Sequence, residues 1–148
     1  GFTSTRVGSV RYFMAASPRF REQWFPEGFT RAAAARAPAV LFNRDDQLHY
    51  RSLAKVFGRP AIHPPAYYIP SVEKFNEAIA LGLGYGMITE VQALPEIAKG
   101  TLVEIDPRGR LDTSLYWYRW SHSSGLLDEF SKVLVGKGRR LLESATSR

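Results

Sequence analysis

Short apolar runs along this chain alternate with stretches in which apolar residues recur three and four positions apart. The first run, RVGSVRYFMAA over residues 6–16, has the mixed-face pattern of a strand. Ser17-Pro18 then reads as a helix start, with serine as N-cap and proline in the first turn, where its missing N–H leaves nothing unpaired. That helix runs to about residue 25 and breaks at Pro26-Glu27-Gly28. Thr30 caps the alanine-rich RAAAARA, a strong helix former. Pro38 ends it and opens a strand over residues 39–42. Leu48, Leu53, Val56 and Phe57 share one face of the next helix, which Gly58 and Pro60 stop.

Residues 66–69 form a further strand, and Pro70-Ser71 opens another helix with Glu73 in its first turn. Phe75, Ala78, Ile79 and residues 81–83 are its expected buried face. GLGYGMITE turns through its glycines into a short buried strand, followed by a helix over 90–98 that Gly100 ends. Strands at 102–105 and 115–120 come next. A last helix, capped by Ser123 or Ser124, runs over 124–142. The aromatic stretch YWYRW, residues 116–120, alternates along its strand and is expected in a core rather than as a stacking platform for bases. Strands alternating with helices imply βαβ units, an α/β fold and a mostly parallel sheet. In such sheets ligands bind beyond the carboxyl ends of strands, against helix N-termini. Three handovers from strand to helix stand out: FNRDD, IPSVEK and MITE.

The first handover holds two adjacent acids. Asp45 or Asp46 at a helix start accepts backbone N–H groups and complements the helix dipole, which is worth about 0.5–2 kcal/mol. Capping accounts for one acid and leaves the other for a cationic ligand. Asn43 and Arg44 stand at the strand end, where Arg44 suits a ligand carboxylate. GLGYG precedes its strand and lacks the lysine of a P-loop, so its glycines serve a tight turn. His49, His63 and His122 show no metal-ligand spacing, and G-x-S-x-G is absent. With neither an activated nucleophile nor a metal site, no enzyme and no cofactor is expected.

Composition narrows the class. The 148 residues, 45% hydrophobic and 23% charged, suit one ordinary globular domain or part of a larger protein. No apolar run approaches the roughly 20 residues of a membrane span, and the opening residues lack the pattern of a secretory signal. The absence of cysteine excludes disulfides and thiolate metal sites and is compatible with the cytosol. A net charge of +6 is spread thinly, with a mild concentration at Lys132, Lys137, Arg139, Arg140 and Arg148. That reads as a solvated helix face, since no nucleic-acid-binding motif accompanies it.

Taken together, VGSVRYFMAASPRF, PAVLFNRDDQLH, PSVEKFNEAIALGLGYGMITE and LYWYRW resemble the effector-binding region of LysR-type transcriptional regulators, closest to the ArgP/LysG subgroup of lysine- and arginine-responsive export activators. The resemblance implies a two-lobed domain of the type 2 periplasmic-binding-protein kind, here a fragment with a complete second lobe and a partial first lobe. Residues 1–14 would be a strand and crossover from the first lobe, 15–88 the second lobe, and 89–148 the returning part of the first. The winged helix-turn-helix of the family lies outside this sequence. The resemblance implies an effector, a lysine- or arginine-like amino acid, in the cleft between lobes. Carried onto this chain, the effector residues are Asn43, Arg44, Asp45, Ser71, Val72, Glu73, Thr89 and Glu90. It also implies a cytoplasmic homo-oligomer that reaches DNA through the N-terminal module and acts on RNA polymerase, with no membrane partner. The competing reading is a solute-binding or catalytic domain of the same architecture, because fold does not fix function.

Overall fold

A computed structural model describes residues 1–122 and 124–146; the expected cap Ser123 and the terminal Arg148 lie outside the described residues. The chain divides into two compact units, Tyr12–Leu111 and the pair of segments Gly1–Arg11 with Asp112–Arg148.

In the larger unit, the end of strand β1 (Phe2–Ala16) leads into helices α1 (Pro18–Trp24) and α2 (Arg31–Arg36). Strand β2 (Ala39–Leu41), helix α3 (Leu48–Phe57), strand β3 (Ala66–Tyr68) and helix α4 (Val72–Ala80) follow. Strand β4 (Gly86–Thr89) runs directly into helix α5 (Glu90–Lys99), then strand β5 (Val103–Glu104) and a short 3-10 turn (Pro107–Gly109). The helix starts follow local capping chemistry. Ser17 Oγ accepts the Phe20 N–H at 3.1 Å and Thr30 Oγ1 the Ala33 N–H at 3.2 Å. Gly100 ends α5 in the left-handed conformation, with φ at 79°.

β1 is the central strand, in the order β4-β1-β5, and both neighbours are antiparallel to it. Phe13 faces Ile88 and Met14 faces Met87 in the register with β4. β2 pairs parallel with β3, which one crossover helix joins, and Ala39 makes a parallel bridge with Tyr85. The mostly parallel sheet expected from the alternation is therefore corrected to two sheets, one in which β1 pairs antiparallel with β4 and β5 and a separate parallel pair, β2 with β3. A single crossover helix forces parallel neighbours, and β1 is joined to neither β4 nor β5 in that way.

Alternate β1 side chains serve two cores. Met14 and Ala16 pack with Phe20, Phe25, Leu53 and Tyr85, whereas Phe13 and Ala15 pack with Val40, Phe75, Ile79 and Ile88. Burial on both faces explains the unbroken apolar run at 13–16. Ala93 of α5 and Leu102 belong to the second core, and β5 pairs with Ala15 and Ala16. The chain thus leaves this unit at Leu111. The expected burial of residues 81–83 also fails. Leu81 is 72% exposed and Leu83 43% exposed, because α4 ends at Ala80 and the turn no longer holds them on its inner face.

In the smaller unit the first part of β1 pairs with strand β6 (Leu111–Trp120), and helix α6 (Gly125–Thr146) packs against them. The helix comes close enough that a Cβ at Gly138 would stand 2.7 Å from Val7 Cγ1. The Arg139 guanidinium donates to the Arg6 carbonyl at 2.8 Å, and Arg11 pairs with Asp112 at 2.9 Å. Trp117 Nε1 donates to Ser131 Oγ of α6 at 3.1 Å. Alternation then turns Tyr116, Tyr118 and Trp120 away, and all three are exposed within this unit. The core placement expected for YWYRW is not met: Trp117 is half-buried against α6 and its neighbours Tyr116 and Tyr118 are exposed. No described helix is long and apolar enough to cross a membrane.

Candidate functional site

Beyond the end of β2 the chain makes a tight turn that settles the two acids. The Asn43 side-chain oxygen accepts the Asp45 N–H at 2.9 Å, and the Asp46 N–H reaches the Asn43 carbonyl at 3.2 Å. Asp46 is thereby turned back across the loop. One of its carboxylate oxygens accepts the Phe42 N–H at 3.0 Å and the other the Leu48 N–H at 3.1 Å. Asp46 clasps the loop and serves the first turn of α3, whose formal cap residue Gln47 makes no side-chain bond. Asp45 is exposed.

This turn forms one wall of a cavity of about 350 Å³, to which it contributes Phe42, Asn43, Asp46 and Leu48. The start of α4 supplies Val72, Phe75 and Asn76. The end of β4 and the start of α5 supply Met87, Ile88, Thr89 and Gln92, and Tyr12 of β1 completes the lining. Its position, at two strand ends and three helix starts, is the one α/β sheets use for ligands. At the start of α5 the Thr89 hydroxyl donates to Gln92 Oε1 at 2.9 Å and caps no backbone N–H. Asp46 is the one carboxylate in the lining. Its charge is felt nearby: burial first, then Tyr68, then Asp46, raise the Tyr50 phenol above its ordinary value.

Of the residues expected at the site, Asn43, Val72 and Thr89 line the cavity. The others do not. Arg44 lies over the Tyr68 ring, 4.9 Å from its centroid. Ser71 caps α4 through the Lys74 N–H at 3.4 Å, and Glu73 is exposed in that helix's first turn. Glu90 stands near Arg110, whose guanidinium is held bidentately by Glu104 at 2.7 Å and stacks on Phe13. Asn76 and Gln92 also line the cavity and lie outside the expected set, although they sit four and three residues after Val72 and Thr89. Tyr12 carries no such signal; it reaches the cavity through strand pairing with Thr89.

The profile of the LysR substrate binding domain matches residues 1–138. The chain belongs to this family. It is 37% identical over 137 residues to the HTH-type transcriptional regulator ArgP of Aeromonas salmonicida, covering 93% of this chain and 46% of that protein. The C-terminal domains of a LysR family protein from Agrobacterium tumefaciens superimpose with a TM-score of 0.91 at 33% identity, covering 96% of this chain and 68% of that one. Full-length LysG from Corynebacterium glutamicum with bound effector Arg superimposes with a TM-score of 0.80 at 30% identity, covering 93% of this chain and 47% of that one. The LysR-type chain described here thus spans about half the length of the curated relative it matches. That relative is a transcriptional regulator by name.

Proposed function

We propose that this chain is the effector-binding part of a LysR-type transcriptional regulator and that its cavity takes a basic amino acid, arginine or lysine. The observation that carries the reading is a cavity at strand ends and helix starts, part apolar and part amide-lined, with one carboxylate in its wall. Support comes from its 30% identity to a LysG whose structure holds the effector Arg. An apolar wall suits the methylene stem of either amino acid, and uncharged amides suit its α-groups. Asn43, Val72 and Thr89 contact the ligand in this reading, Ser71 and Glu73 fix the start of α4, and Arg44, Asp45 and Glu90 flank the site.

The unit Tyr12–Leu111 is read as the second effector lobe, and the remaining segments as part of the first. In the intact protein the bound amino acid shifts the balance between two states of a homo-oligomer, which a separate DNA-binding module and RNA polymerase read out as transcription of an exporter. Calorimetry of the intact protein with arginine, lysine and histidine tests the reading. Saturable binding of arginine or lysine is expected; heat traces indistinguishable from buffer for both sink it.

A further inference from the structure

Asp46 occupies two roles at once in this structure. It is the one carboxylate lining the cavity, and it is the clasp of the loop from Phe42 to Leu48. A carboxylate offers about four acceptor positions, and the two backbone N–H groups use only two of them. The rest are free for a donor inside the cavity. The residues it ties down, Phe42 and Leu48, are themselves lining residues, so the acid stands between apolar walls. Among the uncharged polar groups of the cavity, Asn43 stands in the same turn as Asp46, whereas Asn76, Thr89 and Gln92 come from α4, the end of β4 and α5.

We propose that Asp46 is the charge-selecting residue of the cavity and pairs with the side-chain cation of the ligand, while the amides of Asn76 and Gln92 and the Thr89 hydroxyl hold its α-groups. This deepens the reading of the cavity as a basic amino-acid site and rests on it. A cation at the tip of an aliphatic stem needs an acid reached through an apolar passage, and Asp46 between Phe42 and Leu48 is that arrangement. An α-ammonium carries no such stem and is served by the amides. Asp45, one residue earlier, carries the same charge but faces solvent and takes no part.

The test compares arginine with citrulline, its neutral isostere, by calorimetry on the intact protein. The native protein prefers arginine by ~10- to 100-fold, the range of a charge-assisted bond at a partly desolvated site. Asp46→Asn and Asp46→Ser abolish that preference, arginine falling to the level of citrulline. The serine variant is included because its hydroxyl still accepts the Leu48 N–H and keeps part of the clasp. Asp45→Asn retains the preference. Equal weakening of both ligands in folded Asp46 variants would assign Asp46 to the α-ammonium or to the loop alone and overturn the proposal. An unchanged preference would overturn it as well. If the native protein binds neither arginine nor lysine, the amino-acid reading of the cavity itself falls, and the proposal with it.

Discussion

The imidazole of His49 meets the ring of Tyr85 edge to face, centroids 4.6 Å apart, and neither imidazole nitrogen has a hydrogen-bond partner among the described residues. The ring is 1% exposed on the inner side of α3. Burial there pushes its pKa from 6.5 down to about 3. The unfolded chain takes up the proton as pH drops below 6.5, while the folded chain refuses it until about 3. His49 therefore favours folding fully above pH 6.5 and loses that contribution as pH falls through this window, with a slope of up to ~1.4 kcal/mol per pH unit. His49→Leu should flatten the acid side of the stability profile. Chemical denaturation at pH 7, 6 and 5 checks this; parallel profiles for the two proteins would show that His49 is not the group titrating.

Tyr85 itself is fully buried, and its hydroxyl donates to the Ala34 carbonyl at 2.7 Å. That bond ties the strand side of the core to α2, and burial raises the phenol well above its ordinary value. Tyr85→Phe leaves the ring packing and strands a buried carbonyl. A loss of about 1–2 kcal/mol is expected from the denaturation midpoint, with an unchanged slope.

The starts of α1, α2 and α4 were legible because a cap is a matter of three or four consecutive residues. Ser17, Thr30 and Ser71 each bond the N–H three residues on, where sequence alone placed them. The direction of β1 against β4 was not legible, since it depends on strands joined by no single crossover. Nor could sequence decide between Asp45 and Asp46. The choice rests on the turn in which Asn43 accepts the Asp45 N–H, and one residue of rotation there exchanges clasp for solvent. Tyr116 and Trp117 are neighbours of similar character, yet only Trp117 turns toward α6. Alternation showed two faces without showing which of them has a partner.

The ion pair of Arg110 with Glu104 is bidentate, and the Glu104 side chain is only 15% exposed. The Glu104 bond is the leading cause that holds the Arg110 guanidinium above its ordinary value. The same guanidinium lies 4.6 Å from the Phe13 centroid, so its removal costs packing as well as charge. A double-mutant cycle of Arg110→Ala with Glu104→Ala should give a coupling of about 1 kcal/mol, discounted for the partial exposure of the arginine. The coupling should shrink when salt is raised from 0.05 to about 0.5 M. A coupling near zero at low salt would mean that solvent already screens the pair.

Two glycines separate steric from conformational cost. At Gly86, the first residue of β4, an added Cβ would stand 2.8 Å from Ile79 Cδ1 and 2.9 Å from the Val40 carbonyl oxygen. The carbonyl belongs to β2 and cannot yield without disturbing the bond from the Val40 N–H to the Tyr85 carbonyl at 2.9 Å. The same Cβ would press on Phe75, which lines the cavity beside Met87. Gly28 has nothing within 4 Å of its added Cβ, but its φ is +97°, where an L side chain is strained. Gly28→Ala should therefore cost about 1 kcal/mol, from the backbone alone. Gly86→Ala should cost about 1–3 kcal/mol by overpacking and should also weaken whatever the cavity binds. Denaturation midpoints with calorimetry on the same samples distinguish the two. A Gly86→Ala protein as stable as the native one would show that β2 and β4 can part by several tenths of an ångström at no cost, and that the floor of the cavity is softer than its packing implies.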